Sequence, residues 1–296
     1  MKKISLLLLA VISIYGCSEN NTDFDASGTF EAVETIISAQ ANGTINAFTV
    51  EEGQVLKDNQ LVGYIDSTQL YLKKVELEKQ ISAILSKKPN VGVQLASYET
   101  QLAKANTERN RILNLLKDGA ATSKQLDDIN SEIQVLKKQI EAQRSSLNIT
   151  ATSFNKEAAP LYIQVEQIED QLGKCKIINK TKGTVLSKYA EVNEMASEGK
   201  ALYKIADLST IILRAYISGD QLPQLKLNQK VTVHTDDGKG GFHTTDGIVT
   251  WINNKAEFTP KTIQTRNERA NLVYAIKVKV KNDGRYKIGM YGEVKL

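Results

Sequence analysis

The sequence has 296 residues, of which 41% are hydrophobic, 24% charged and 6% aromatic, with Lys+Arg 38 against Asp+Glu 34. That apolar content supports packed cores and excludes a disordered or low-complexity chain. Lys2 and Lys3 supply half of the small cationic excess, so no nucleic-acid-binding balance is present, and two Cys and two His far apart exclude the common zinc frameworks and a disulfide scaffold.

Residues 1–17 combine basic Lys2 and Lys3 with an apolar run of about eleven residues, too short to span a bilayer, which needs about 20. Ile14-Tyr15-Gly16-Cys17 resembles a bacterial lipobox, in which the Cys is diacylated and becomes the new N-terminus. The expectation is therefore a lipoprotein signal peptide over 1–16, with a non-lipidated secretory signal as the alternative. An acylated Cys17 would begin a polar tether over 17–26 and anchor the protein to a membrane without spanning it. Thr29–Ile37 reads as a strand, and the segment 27–38 is expected to join a later β-barrel. Cys175 would be a small buried hydrophobe.

Residues 39–66 and 175–207 repeat one pattern. An offset of 140 superimposes Gly43 on Gly183, Thr44 on Thr184, Ile45 on Val185, Glu51 on Glu191 and Ile65 on Ile205. Short strands with Gly turns in two copies read as halves of one β-domain. Both halves resemble biotinyl/lipoyl half motifs. In the carrier domains a Lys between the halves takes the cofactor; here that place holds a long insert, so no cofactor is expected. No phosphate-binding glycine motif, metal cluster or catalytic constellation appears.

The insert, 67–174, reads as an antiparallel coiled-coil hairpin. One seam runs Leu95, Tyr98, Leu102, Ala105, Ile112, Leu116, broken by Arg109; the other runs Leu126, Ile129, Ile133, Leu136, Ile140, Leu147. Between them, at 117–123, Gly119 suits a left-handed residue after a helix end, and Thr122 with Gln125 makes a capping box. Positions summing to about 241 should pair, Ala105 with Leu136 for example; a coiled-coil dimer is the alternative. Both arms are expected to break at matching heights, near Ser86–Gly92 and near Asn148–Ser153. Beyond the breaks Leu70, Leu77, Ile81 and Ile84 should face Leu161, Val165, Ile168 and Leu172. At 1.5 Å per residue the arm 67–117 would reach roughly 75 Å.

Residues 208–296 read as β throughout. Strands are expected at 210–217, 230–234, 247–252 and 274–280, with a turn at 236–241, and about six strands suggest a small barrel. His234 and His243 stand singly and read as structural or exposed.

A lipid anchor, a split lipoyl-like domain, a coiled-coil hairpin and a β-barrel, nested in this order, resemble HlyD-type periplasmic adaptors, also called membrane fusion proteins. The fold class this implies is α+β, elongated and multidomain, with the hairpin inserted in the split domain and the barrel following it. The family's hairpin-tip pattern R-x-x-x-L-x-x-x-x-x-x-S falls on Arg111, Leu115 and Thr122, with Thr in place of Ser. By that resemblance these three would dock an outer-membrane channel. The stretch 257–269 is similar to adaptors of ABC-type exporters, and Lys261, Arg266 and Arg269 form a candidate partner-contact loop. The resemblance implies a non-enzymatic bridge between an inner-membrane exporter, ABC type rather than proton-driven, and an outer-membrane channel. It also implies self-assembly into a ring, often a hexamer, in the periplasm of a Gram-negative bacterium, on the inner membrane. The alternatives are a lipoyl-domain carrier subunit or a surface lipoprotein with a coiled-coil rod.

Overall fold

A computed structural model describes residues 24–258 and 272–296. The chain runs through β1 (Ala26–Glu31), β2 (Glu34–Ser38), β3 (Gly43–Phe48), β4 (Val55–Leu56) and β5 (Gln60–Ile65) into three helices, α1 (Thr68–Leu85), α2 (Val91–Lys117) and α3 (Ser123–Lys174). It continues through β6 (Lys176–Asn179), β7 (Gly183–Lys188), β8 (Met195–Ala196), β9 (Ala201–Ala206) and β10 (Thr210–Ser218). It ends in β11 (Lys230–Asp236), β12 (Phe242–Ile252), β13 (Glu257–Phe258), β14 (Leu272–Lys281) and β15 (Tyr291–Lys295). The signal segment, Cys17, most of the tether, and Lys261, Arg266 and Arg269 lie outside the described residues.

The repeat read from the sequence governs the split domain down to its turns. Gly53 (φ 82°) and Asn193 (φ 72°) stand 140 apart, as do Asn59 (φ 57°) and Gly199 (φ 86°), so each half makes its left-handed turns at the same places. Only Gly, and at some cost Asn, adopts that region routinely. The halves then exchange backbone bonds reciprocally. Gly53 N–H donates to Val185 O (2.9 Å) and Asn193 N–H to Ile45 O (2.8 Å). Two four-stranded sheets result, ordered β2-β9-β7-β4 and β6-β5-β3-β8, and each draws strands from both sides of the helical insert. Ile45, Leu56, Ile65, Val185, Leu202, Tyr203 and Ile205 fill the space between them, with Cys175 buried beside them.

The remaining strands close a barrel. The order is β10-β1-β15-β11-β12-β14, sealed by a β10–β14 pairing, with β13 added at the edge of β14. Alternation packs Phe30, Ile211, Leu213, Val233, Val249, Ile276, Val278 and Val294 inside. The segment 27–38, expected to serve the barrel alone, divides between the two β-units. β1 pairs with β10 and β15 in the barrel, whereas β2 pairs with β9 in the split domain. A single apolar run could not reveal that the chain changes sheets between Glu31 and Glu34.

Between the halves, α1 and α2 lie antiparallel to α3. Ion pairs fix the register: Lys74 Nζ to Glu169 Oε1 at 2.6 Å and Arg144 to Glu99 at 3.2 Å, positions summing to 243. The seam buries Leu77, Ile81, Leu95 and Ala105 against Ile129, Ile133, Leu136, Ile140, Leu147 and Ala158. Each fully buried aliphatic side chain contributes about 1.5–3 kcal/mol.

The first arm breaks where expected, with Pro89 between α1 and α2 and Asn90 capping α2 through the Val93 N–H (3.2 Å). The second arm does not break at 148–153: α3 runs continuously for 52 residues. Its hydroxyls turn back on their own helix, Thr150 Oγ1 donating to Ser146 O (3.0 Å) and Ser153 Oγ to Thr150 O (2.9 Å), which satisfies the polar run without ending it. Pro160 instead sits inside α3 and leaves the Lys156 carbonyl without its helical donor, a position that the register places level with the α1–α2 break.

Candidate functional site: the hairpin tip

The far end of the hairpin is built by two capping devices. At the end of α2, Gly119 (φ 67°) carries the chain out of the helix, while Gly119 N–H donates to Leu116 O (3.2 Å) and Ala120 N–H to Leu115 O (2.8 Å). These bonds take up carbonyls that the helix end would leave unpaired. At the start of α3, Gln125 N–H donates to Thr122 Oγ1 (3.3 Å) and Thr122 N–H to Gln125 Oε1 (2.8 Å), the capping box expected from T-x-x-Q.

The three candidate docking residues differ in how free they are. Arg111 projects from α2 with its side chain 71% exposed, its nearest acid being Glu108 at 3.6 Å on the same helix. A pair that exposed contributes little to stability. Leu115 is half-buried, and its carbonyl is held by Ala120. Thr122 is exposed, yet its hydroxyl both accepts from Gln125 N–H and donates to Gln125 Oε1 (3.2 Å), so local structure occupies it. Of these three residues Arg111 has the most capacity to spare: five donors in a planar fork suited to carboxylates or carbonyls.

Just behind the tip, Ala105, Ile129, Ile133 and Leu136 form a small apolar cluster with Leu102, Ile112 and Leu126. Arg109 interrupts it as expected. Its Nε is buried without a hydrogen-bond partner, and its other contact is a 3.4 Å bond to Asn110. Of the two histidines, His243 is exposed and His234 is half-buried against Phe24 and Phe242.

No family model matches the chain. UPF0194 membrane proteins of Enterobacter sp. (strain 638) and Acidithiobacillus ferridurans are 23% and 24% identical to it over 320 and 271 residues, covering 94% and 84% of this chain and 92% and 79% of theirs. Among solved structures, MacA from Actinobacillus actinomycetemcomitans superposes with a TM-score of 0.54 at 21% identity, over 92% of this chain and 78% of that one. A membrane fusion protein from Streptococcus pneumoniae R6 superposes with a TM-score of 0.51 at 14% identity, over 91% and 96%. With its split β-domain, inserted helical hairpin and closing barrel, this chain has the fold of the HlyD-type membrane fusion proteins.

Proposed function

We propose that the chain is a periplasmic adaptor that bridges an inner-membrane exporter to an outer-membrane channel. The observation that carries this reading is the hairpin. α3 alone, at 1.5 Å per residue, extends about 78 Å from the split domain, and beside its tip end α2 presents the exposed guanidinium of Arg111. A rod with a narrow seam and a polar outer face transmits position and catalyses nothing.

The finer assignments belong to the same proposal. The anchor is acylated Cys17, which follows the 1–16 signal and leaves a tether to residue 26. The domains are the two lipoyl-like halves at 39–66 and 175–207 with β2 added, the hairpin at 67–174, and the barrel at 208–296 with β1 added. The exporter is of ABC type and meets the adaptor through the loop bearing Lys261, Arg266 and Arg269. Six copies form the ring, and Arg111, Leu115 and Thr122 dock the channel, with Arg111 contributing most.

Arg111→Asp tests the reading. The side chain lies off the seam, so stability should change by no more than about 0.5 kcal/mol. Like charges set together at the docking surface cost several kcal/mol there. Export and co-purification of the channel should be lost while folding and transporter binding persist. Normal export by the folded variant would remove Arg111 from the docking surface.

A further inference from the structure

The barrel end that points away from the split domain has a composition that the bridging role does not use. Strand registers define that end. Thr210, just after the split domain's last strand, pairs with Lys281, whereas Ala26, Ile217 and Tyr274 form one row across β1, β10 and β14 at the opposite end. Beyond this row Phe258 pairs with Leu272, and the two are 84% and 55% exposed. Leu227, in the loop that leads into β11, is 58% exposed at the same rim, and Trp251 is 38% exposed near the end of β12.

Lysines alternate with these apolar groups. Lys226, Lys230, Lys255 and Lys295 are all exposed and belong to the loops or strand ends of this rim. None of the four forms an ion pair among the described residues. Glu257, two residues from Lys255, is already engaged by Arg214 and Asn253. Glu293, two residues from Lys295, is half-buried, and Asp220 is an exposed acid beside them among the described residues.

The chain's exit adds a second, geometric argument. β1 starts at this end, and Phe24, the first described residue, turns from it onto His234 and Phe242. Six residues lie between Cys17 and Phe24, a reach of about 25 Å over seven Cα–Cα steps when fully extended. A lipid on Cys17 would hold Phe24, and with it the barrel, within about that distance of the bilayer surface. The tether argument rests on the lipoprotein reading given above; the composition of the rim does not.

We propose that this rim is a membrane-contact surface that seats on a bilayer carrying anionic phospholipid headgroups. Phe258, Leu272 and Leu227 enter the interface, to the shallow depth of about 5–10 Å typical of peripheral segments. Trp251 lies at headgroup level, where amphipathic aromatic rings concentrate. The four lysines meet the phosphates, each strengthening binding about fivefold, with their stems lying along the apolar patch. The adaptor is thereby held upright by two supports, the acyl chains and the seated rim.

Trp251 is the chain's one tryptophan and therefore a built-in probe. The full-length protein, purified from membranes, is reconstituted into vesicles of phosphatidylcholine alone or enriched in phosphatidylglycerol, with brominated lipid in each as quencher. Intact mass reports acylation independently. Seating is shown by Trp251 quenching that is stronger in the anionic vesicles and weakens in 1 M salt, where the Debye length falls to about 3 Å. Lys230→Glu/Lys255→Glu should keep the vesicle anchorage and lose most of that quenching. A deeper probe, Phe258→Trp in a Trp251→Phe background, should be quenched more by bromines placed along the acyl chain. Acylated, vesicle-bound protein with unquenched Trp251 and unquenched Trp at position 258 overturns the proposal while leaving the anchor intact. Unacylated protein that is still quenched keeps the rim and removes the tether. Rim lysine variants that lose an inner-membrane protein partner, with no quenching in any vesicle, overturn it in favour of protein docking.

Discussion

Asn179 joins the two halves of the split domain, and its loss should be felt across both. The side chain is fully buried. Its Nδ2 donates to the carbonyls of Lys57 (2.7 Å) and Thr181 (2.8 Å), and its Oδ1 accepts from the Tyr203 hydroxyl (3.0 Å). Lys57 lies before the helical insert, and Thr181 and Tyr203 lie after it. Asn179→Ala removes all three bonds. Tyr203 suffers most, because burial pushes its pKa up to about 12 and its hydroxyl remains a neutral donor with no partner. A stranded buried group costs about 1–3 kcal/mol, and the two carbonyls, partly reachable by water, add less. The expected loss is about 2–4 kcal/mol. Tyr203→Phe strands only Asn179 Oδ1 and should cost about 1–2 kcal/mol. The double variant should cost less than the two combined, with a coupling of about 0.5–3 kcal/mol. Denaturant unfolding, read through hydrogen exchange of β6 and β9 amides, isolates this domain. A loss below about 0.5 kcal/mol for Asn179→Ala, the range of an ordinary surface substitution, or strict additivity in the double variant, would refute the bridging role.

Two other outcomes follow from the geometry. Ala105→Cys with Leu136→Cys, in a Cys175→Ser background, should form an intramolecular disulfide, since the pair must bring Cα atoms within about 7 Å; exclusively intermolecular crosslinks would favour a dimeric rod. His234 has a lowered pKa, first from burial and then from the charge of Lys295, while Glu293 across the strand pair has a carboxyl raised by burial. With the folded histidine below its unfolded value of about 6.5, the unfolded chain binds more protons, so this contribution is full at neutral pH and fades as pH falls below about 6.5. The raised Glu293 acts in the opposite sense as pH falls through its own raised range, so the comparison is made between neutral pH and about pH 5.5 in a Glu293→Gln background. There His234→Phe, which keeps the packing on Phe24 and Phe242, should flatten the fall in melting temperature. An unchanged slope would mean that His234 is not the group responsible.

Where a residue type leaves the backbone few choices, the sequence could be read directly. Gly119, the Thr122–Gln125 box and the repeat at offset 140 are of this kind, and the last extends to Gly53 and Asn193. The heptads also carried the register, because a two-helix seam this narrow tolerates few alternatives. Local polarity misled at 148–153: Asn, Thr and Ser resemble a loop, yet inside a long helix packed on its partner their hydroxyls find carbonyls on the same helix. Pro160, the real irregularity of that arm, sits in an apolar run and gave no sign of ending it. The division of 27–38 between two sheets was also hidden, since β1 and β2 have similar strand character and only the tertiary pairing separates them. At the tip, Arg111, Leu115 and Thr122 were candidates only through the family resemblance, and the T-x-x-Q box already showed that capping makes a demand on the Thr122 hydroxyl.

The adaptor reading is tested most directly at the end of the rod. A photoreactive amino acid placed at Asp118, exposed between the two caps, would be activated in living cells and its crosslinked partner identified by mass spectrometry. The expected product joins this chain to an outer-membrane channel protein, and Arg111→Asp should deplete it. Crosslinks from Asp118 confined to inner-membrane or soluble proteins, in cells where the protein is stable and membrane-bound, would contradict the bridge.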